Sequence, residues 1–198
     1  MNEKTAQFSL RGLFQPRDLT EGTPWKTILA FALPIIISYL LQQVYTISDA
    51  AIVGQTLTAG EVAGVNDTTS IIFIFLQFAF GVSAGFCVVT AAEVGAHHEA
   101  GVRRSLAAQI LLSAALTVLL TGLALLLLKP MLAWINVTPE SPEVYRAAHT
   151  YCAIIFAGIG AQLFYNFICS FLRSMGDSVT PLLFLLFSTI LNIGLDLL

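Results

Sequence analysis

A chain of 198 residues that is 57% hydrophobic and 11% charged lacks the charge to cover a water-facing surface, since soluble domains carry about 25% charged residues. Together with a mean hydropathy of +0.82, this excludes an ordinary soluble domain and points to the bilayer. A net charge of −3 offers no basic surface for nucleic acid.

Residues 1–25 are mixed polar and contain no apolar core of a cleavable signal. They read as a cytoplasmic N-terminal segment, and the first apolar span is expected to act as its own insertion signal. A membrane helix needs about 20 largely apolar residues. Stretches free of Asp, Glu, Lys and Arg lie at 27–48, 68–92, 105–128, 147–172 and 178–195. They predict five membrane helices, at about 27–52, 64–92, 105–128, 145–172 and 179–198. The chain stops three residues after the last stretch, so this helix reads as interrupted.

The connections carry helix punctuation. GAHHEAGVRRS (95–105) reads as a short polar loop, and KPMLAWINVTPESPE (129–143) holds three prolines and an interfacial tryptophan. In RSMGDSVTP (173–181), Gly176 marks a helix stop; Thr180 is the expected cap of the next helix, with Pro181 at its first position. Lys4, Arg11, Arg17, Lys26, Arg103, Arg104 and Arg173 fall on one side of this topology, leaving Lys129 and Arg146 on the other. The positive-inside rule then places the N-terminus in the cytoplasm of a cell (plasma or inner) membrane protein. Cys87, Cys152 and Cys169 lie in apolar stretches without metal-ligand or disulfide spacing, so they read as packing residues.

Polar residues inside spans face a bundle interior or a wet cavity when they share a helical face. Ser38, Gln42, Tyr45 and Asp49 form one stripe in the first span. Asn66, Ser70 and Gln77 belong to the second span, Gln162, Asn166, Ser170 and Arg173 to the fourth, and Ser188, Asn192 and Asp196 to the fifth. The third span holds only Gln109, Ser113, Thr117 and Thr121, and reads as peripheral. A carboxylate costs about 2.5–3.5 kcal/mol at a helix centre, so Asp49 reads as functional. At 1.5 Å per residue, Asp49 lies roughly 33 Å and Asp196 roughly 24 Å along their helices, toward the outer half. Such a pair can exchange protons, Na⁺ or an organic cation, and Asn192 adds a carbonyl ligand for a hard cation. Pro34 is a candidate kink, and Gly81 with Gly85 a GxxxG contact or hinge. Asp67 reads as a first-turn helix acid, Glu93 as a boundary residue, and His97 and His98 as a solvated loop pair.

FYNFICSFLRSMGDSVTPLLFLLFSTILNIGLDLL (164–198) resembles helices four and five of the multidrug and toxic compound extrusion (MATE) family. The shared residues are the "LRxxGDxxxP" turn at Leu172, Arg173, Gly176, Asp177 and Pro181, then "LNxxLD" at Leu191, Asn192, Leu195 and Asp196. LPIIISYLLQQVYTISDAAIVGQ (33–55) resembles the family's first helix, and VGAHHEAGVRRS its stretch after helix two. The similarity runs over residues 25–198.

The resemblance implies an all-α membrane protein, a polytopic helix bundle with five of the six helices of a first lobe at 26–198. The full family architecture has twelve helices in two lobes. It also implies alternating-access export of amphipathic organic cations or drugs against Na⁺ or H⁺, with Asp49, Asn192 and Asp196 as coupling residues and the only expected Na⁺ site. Ser38, Gln42, Tyr45, Gln77, Gln162 and Asn166 are the expected cavity lining. No cofactor and no enzymatic reaction are expected. The expected partners are the bilayer, small organic cations and a missing second lobe or another copy, and the chain alone is expected to be inactive. A lipid-linked precursor flippase is disfavoured by the absence of Lys and Arg within the spans. An intramembrane aspartyl protease is disfavoured because NIGLD stands where GxGD is needed, and a non-transporting truncated subunit remains a further alternative.

Overall fold

The computed structural model describes residues 19 and 22–196, with the backbone alone of Asp196. Six helices form a polytopic bundle, and no strand occurs among the described residues: α1 Pro24–Thr56, α2 Ala59–Gly95, α3 Glu99–Trp134, α4 Pro142–Ala157, α5 Ile159–Ser174 and α6 Val179–Asp196. α1, α2 and α3 are each long and apolar enough to cross a membrane. At 33 to 37 residues and 1.5 Å of rise per residue they are about 50–55 Å long. They therefore tilt or project beyond a hydrocarbon layer of about 30 Å.

The fourth stretch is not the single helix expected at 145–172. It is broken at Gly158 into α4 and α5, bent by 44°. The Gly158 N–H is shared between the carbonyls of Ile154 and Ile155 at 3.1 Å each, a local tightening of the helix. Two residues on, Gly160 lets α5 lean against α3: a Cβ there would lie 2.7 Å from Thr117 Cγ2. Composition sees an unbroken apolar run, whereas the bend arises from this close approach.

Helix ends account for other departures. α2 begins at Ala59, because Thr58 and Glu61 form a capping box; the Thr58 hydroxyl accepts from the Glu61 N–H at 3.3 Å and the Glu61 carboxylate accepts from the Thr58 N–H at 3.0 Å. Asp67 is therefore well inside α2 and exposed, not a first-turn acid. α3 continues through Lys129 and Pro130 to Trp134, with Leu132 fully buried, where a loop was expected. α2, α3 and α5 end in the same Schellman pattern, with left-handed residues His97 (φ 53°), Asn136 (φ 60°) and Gly176 (φ 83°). In each, the following residue's N–H reaches a carbonyl five residues back at 3.0 Å: His98 to Glu93, Val137 to Leu132 and Asp177 to Leu172. α6 is not capped by Thr180. The Asp177 carboxylate accepts from the Val179 N–H at 3.1 Å and the Thr180 N–H at 2.9 Å, which leaves Pro181 inside the first turn, where no backbone donor is needed.

The helices form two groups. α2, α3, α4 and α5 pack together, while α1 pairs with α6, and this pair joins the rest mainly where α6 meets α5. The apolar core lies entirely in the first group, with Ile71, Ile72 and Ala79 from α2, Leu120, Ala124 and Leu128 from α3, Cys152 and Phe156 from α4 and Leu163 from α5. Phe75 and Phe156 rings meet at 5.0 Å. Ile28, Leu29, Ile36 and Leu40 on α1 and Phe184 and Phe187 on α6 are exposed, as expected for side chains that face lipid.

Candidate functional site: a polar cavity and an outer groove

The seam between the two groups is polar because each bordering helix turns its polar stripe toward it. Ser38 and Gln42 from α1, Gln77 from α2, and Gln162 and Asn166 from α5 line one cavity of about 340 Å³. Tyr165, Cys169, Ser170 and Arg173 from α5 and Pro181 and Leu185 from α6 also line it, with Tyr39, Leu76 and Phe80 among its apolar walls. Pro34 lies within an α1 that runs on without a break, and the buried Ser38 hydroxyl donates to the Pro34 carbonyl at 2.8 Å. Gln42 and Gln77 stand near the middles of α1 and α2, so the cavity reaches mid-depth. Its α6 border is that helix's first turns, on the side of the α1 N-terminus.

Tyr45 does not line this cavity. It borders a separate groove of about 310 Å³ with Ser188, Thr189 and Asn192 of α6. There the Asn192 side-chain carbonyl, Oδ1, is buried and has no hydrogen-bond partner. Asp49 is one turn beyond Tyr45 and half-buried. It is not a lining residue of the groove, but its charge reaches Tyr151 of α4, which also lies in electrostatic range of Tyr45. Asp49 and Tyr45 both take part in polar or electrostatic interactions. The Asp196 backbone ends α6 one turn after Asn192, and its side chain is outside the described residues. The structure thus brings Tyr45 and Asn192 into one groove with Asp49 above it. The inner polar residues are gathered elsewhere.

Two features escaped the sequence reading. Arg173, read as a cytoplasmic orientation charge at the end of its stripe, lines the inner cavity. The third span is not peripheral on its α2 side: Gln109, 3% exposed, donates to the Phe86 carbonyl at 2.9 Å and to the Ser105 hydroxyl at 2.8 Å, and also meets Thr90. Thr90 and Ser105 hydroxyls are 2.7 Å apart. The Ser105, Gln109, Ser113 spacing is the signal that could have shown this face. The GxxxG pair reads differently too, since among the described residues a Cβ at Gly81 or Gly85 would meet no atom within 4 Å. The close helix approach is at Gly64, whose Cβ would be 2.6 Å from the Val144 carbonyl of α4. At the α2–α3 connection His98 pairs with Glu93 at 2.7 Å.

The family model described as MatE matches residues 34–198, which include α1 from Pro34 onward and every later helix. The chain belongs to the MatE family. This MatE chain is 30% identical over 181 residues to the probable multidrug resistance protein YpnP of Bacillus subtilis (strain 168), a match covering 88% of this chain and 39% of that protein. It is 27% identical over 171 residues to the probable multidrug resistance protein YoeA of the same organism, covering 86% of this chain and 36% of that one. Its fold is similar to a MOP superfamily transporter from Pyrococcus furiosus, described as having a binding pocket of reversed polarity that suggests a different function; the TM-score is 0.79 at 25% identity, over 90% of this chain and 38% of the other. It is also similar to a MATE protein solved in complex with MaD3S, with a TM-score of 0.72 at 25% identity over 90% and 39%. The chain therefore spans about two fifths of the relatives it matches.

Proposed function

We propose that this MatE chain forms the N-terminal part of a cation-coupled antiporter that exports amphipathic organic cations or drugs by alternating access. The coupling ion, Na⁺ or H⁺, is exchanged at the outer end of α1 and α6 by Asp49, Asn192 and Asp196. The observation that carries this reading is the buried, unpartnered Asn192 carbonyl beside Tyr45, one turn from Asp49 along α1. A buried acceptor with no donor is costly, and a cation or a protonated carboxyl would satisfy it. The inner cavity supplies a polar path between helix groups that contact each other sparsely. Such a seam can open and close without breaking the apolar core.

In this reading the N-terminus is cytoplasmic, the protein resides in the cell membrane, and a second lobe or second copy completes the substrate path. The multidrug resistance relatives support the substrate class. The test is ion-driven efflux of a fluorescent organic cation from cells expressing the transporter in its native length. Asp49→Asn is expected to abolish ion-dependent efflux, and Asn192→Ala to weaken it by raising the ion concentration required. Unchanged efflux in Asp49→Asn would remove the coupling role.

A further inference from the structure

We infer that the inner cavity between α1, α2, α5 and α6 is a subsite for an anionic group on an amphipathic molecule, held by Arg173 with Asn166. The cavity of about 340 Å³ has one charged lining residue, Arg173, and no Asp or Glu among the residues that line it. A guanidinium has five N–H donors, no acceptor, and keeps its charge at every accessible pH. The Arg173 Nε is buried and has no partner. Among the described residues, the basic and acidic side chains within 4 Å of each other are His98 and Glu93, at the α2–α3 connection. Asp177, one turn away in sequence, instead accepts the first amides of α6 at its Oδ1. Arg173 lies in electrostatic reach of Cys87, Tyr165 and Cys169, all neutral in their usual forms.

Asn166 is the second, independent observation. It is 7% exposed, lines the same cavity, and its Nδ2 has no partner. It lies two turns before Arg173 on the same face of α5, and helical side chains lean toward the N-terminus. The long Arg173 side chain therefore reaches back toward Asn166. Two donors left unsatisfied in one partly enclosed space call for an acceptor, and a fixed positive charge calls for a negative one. A carboxylate, phosphate or sulfonate supplies both, and can bind a guanidinium through two parallel hydrogen bonds. Gln42 and Gln77 amides on the facing helices can orient the rest of the molecule. The groove at Asn192 has the opposite character, with a free carbonyl and Asp49 nearby. The cavity is distinct from the coupling residues, so the inference does not rest on ion coupling. Within an export reading, it changes the substrate admitted at this subsite from a simple cation to a zwitterion or anion.

The shared chemistry, an anionic head on an apolar body, could come from a solute or from a lipid. The test titrates the purified chain, in nanodiscs of zwitterionic phosphatidylcholine, with two fluorescent probes: a dansylamino alkyl carboxylate and the matching dansylamino alkyl ammonium. The carboxylate is expected to bind at least tenfold more tightly. Arg173→Gln should abolish that preference, Arg173→Lys should keep most of it, and Asn166→Asp should reverse or erase it. The conservative Lys variant guards against a folding defect in the Gln variant, and far-UV circular dichroism is compared for all. Adding phosphatidylglycerol distinguishes the sources: displacement of bound carboxylate probe assigns the site to a lipid headgroup, and retention assigns it to a solute. Equal binding of the two probes, or a preference that survives Arg173→Gln, overturns the inference.

Discussion

Replacing Gly64 by alanine probes a close backbone contact between α2 and α4. The new Cβ would lie 2.6 Å from the Val144 carbonyl oxygen, 3.0 Å from the Ala148 nitrogen and 3.1 Å from Ala147 Cβ. Two of these are backbone atoms of α4 and cannot swing aside, so α4 must retreat by several tenths of an ångström before ordinary contact near 3.4 Å is regained. Overpacking of this kind costs about 1–3 kcal/mol. Alanine's advantage over glycine within a helix returns only about 0.5–1 kcal/mol. The net loss is up to about 2.5 kcal/mol, or up to roughly 10 °C in Tm for a chain of this size. Gly81→Ala and Gly85→Ala make the same chemical change in the same helix, but their Cβ atoms meet no described atom within 4 Å. Those variants keep the propensity gain and should be neutral or slightly stabilising. The assay is thermal unfolding of the purified chain in detergent, followed by far-UV circular dichroism. Gly64→Ala melting at or above the wild-type temperature, or Gly81→Ala melting as low as Gly64→Ala, would refute the packing argument.

Two further substitutions test the local chemistry. Asp177→Ala removes the acceptor for the Val179 and Thr180 amides, and should cost about 1 kcal/mol, with faster hydrogen exchange confined to the first turn of α6; Asp177→Asn should retain most of the protection. Gln109→Leu removes the donor to Phe86, Thr90 and Ser105 but also a buried carbonyl that has no partner, and it leaves the Thr90–Ser105 hydroxyl pair to satisfy itself, so its melting temperature should stay within a few degrees of wild type. Gln109→Glu places a carboxylate in that buried position and should lower it clearly, and equal melting of the Leu and Glu variants would argue that the site is wet.

Much of the fold could be read from residue order. The dearth of charge requires a bilayer, and in a bilayer every backbone polar group must be satisfied within the chain, which leaves helices or a closed barrel. Apolar runs of about 20 residues then mark where helices cross, and a glycine such as Gly176 marks where one ends. The polar stripes were equally visible, because a 3.6-residue period is a property of one helix and needs no knowledge of its neighbours. That is why Ser38, Gln42, Gln77, Gln162 and Asn166 could be named before the cavity they line was known. Capping was harder to read. Thr58 with Glu61 is a capping signature, but it lies before the apolar run, and the run alone starts the helix too late. Asp177 outcompeted Thr180 because its carboxylate reaches two amides at once.

Contacts between helices were decided only by tertiary structure. The sequence contains a GxxxG at Gly81 and Gly85, and nothing local distinguishes it from Gly64 or Gly160; yet the helix approaches fall at the latter two, because that is where α2 meets α4 and α5 meets α3. The break at Gly158 follows from packing on α3 rather than from any interruption of hydrophobicity. The separation of the polar residues has the same origin. A stripe fixes which side of a helix is polar, but the stripe it faces depends on how α1 and α6 dock on the other four helices. That docking sends Gln42 to an inner cavity beside Arg173 and Tyr45, three residues later, to an outer groove beside Asn192. Periodicity is a one-dimensional property and is set by the order of the residues. The sign of charge gathered at a point in space depends on which helices meet there.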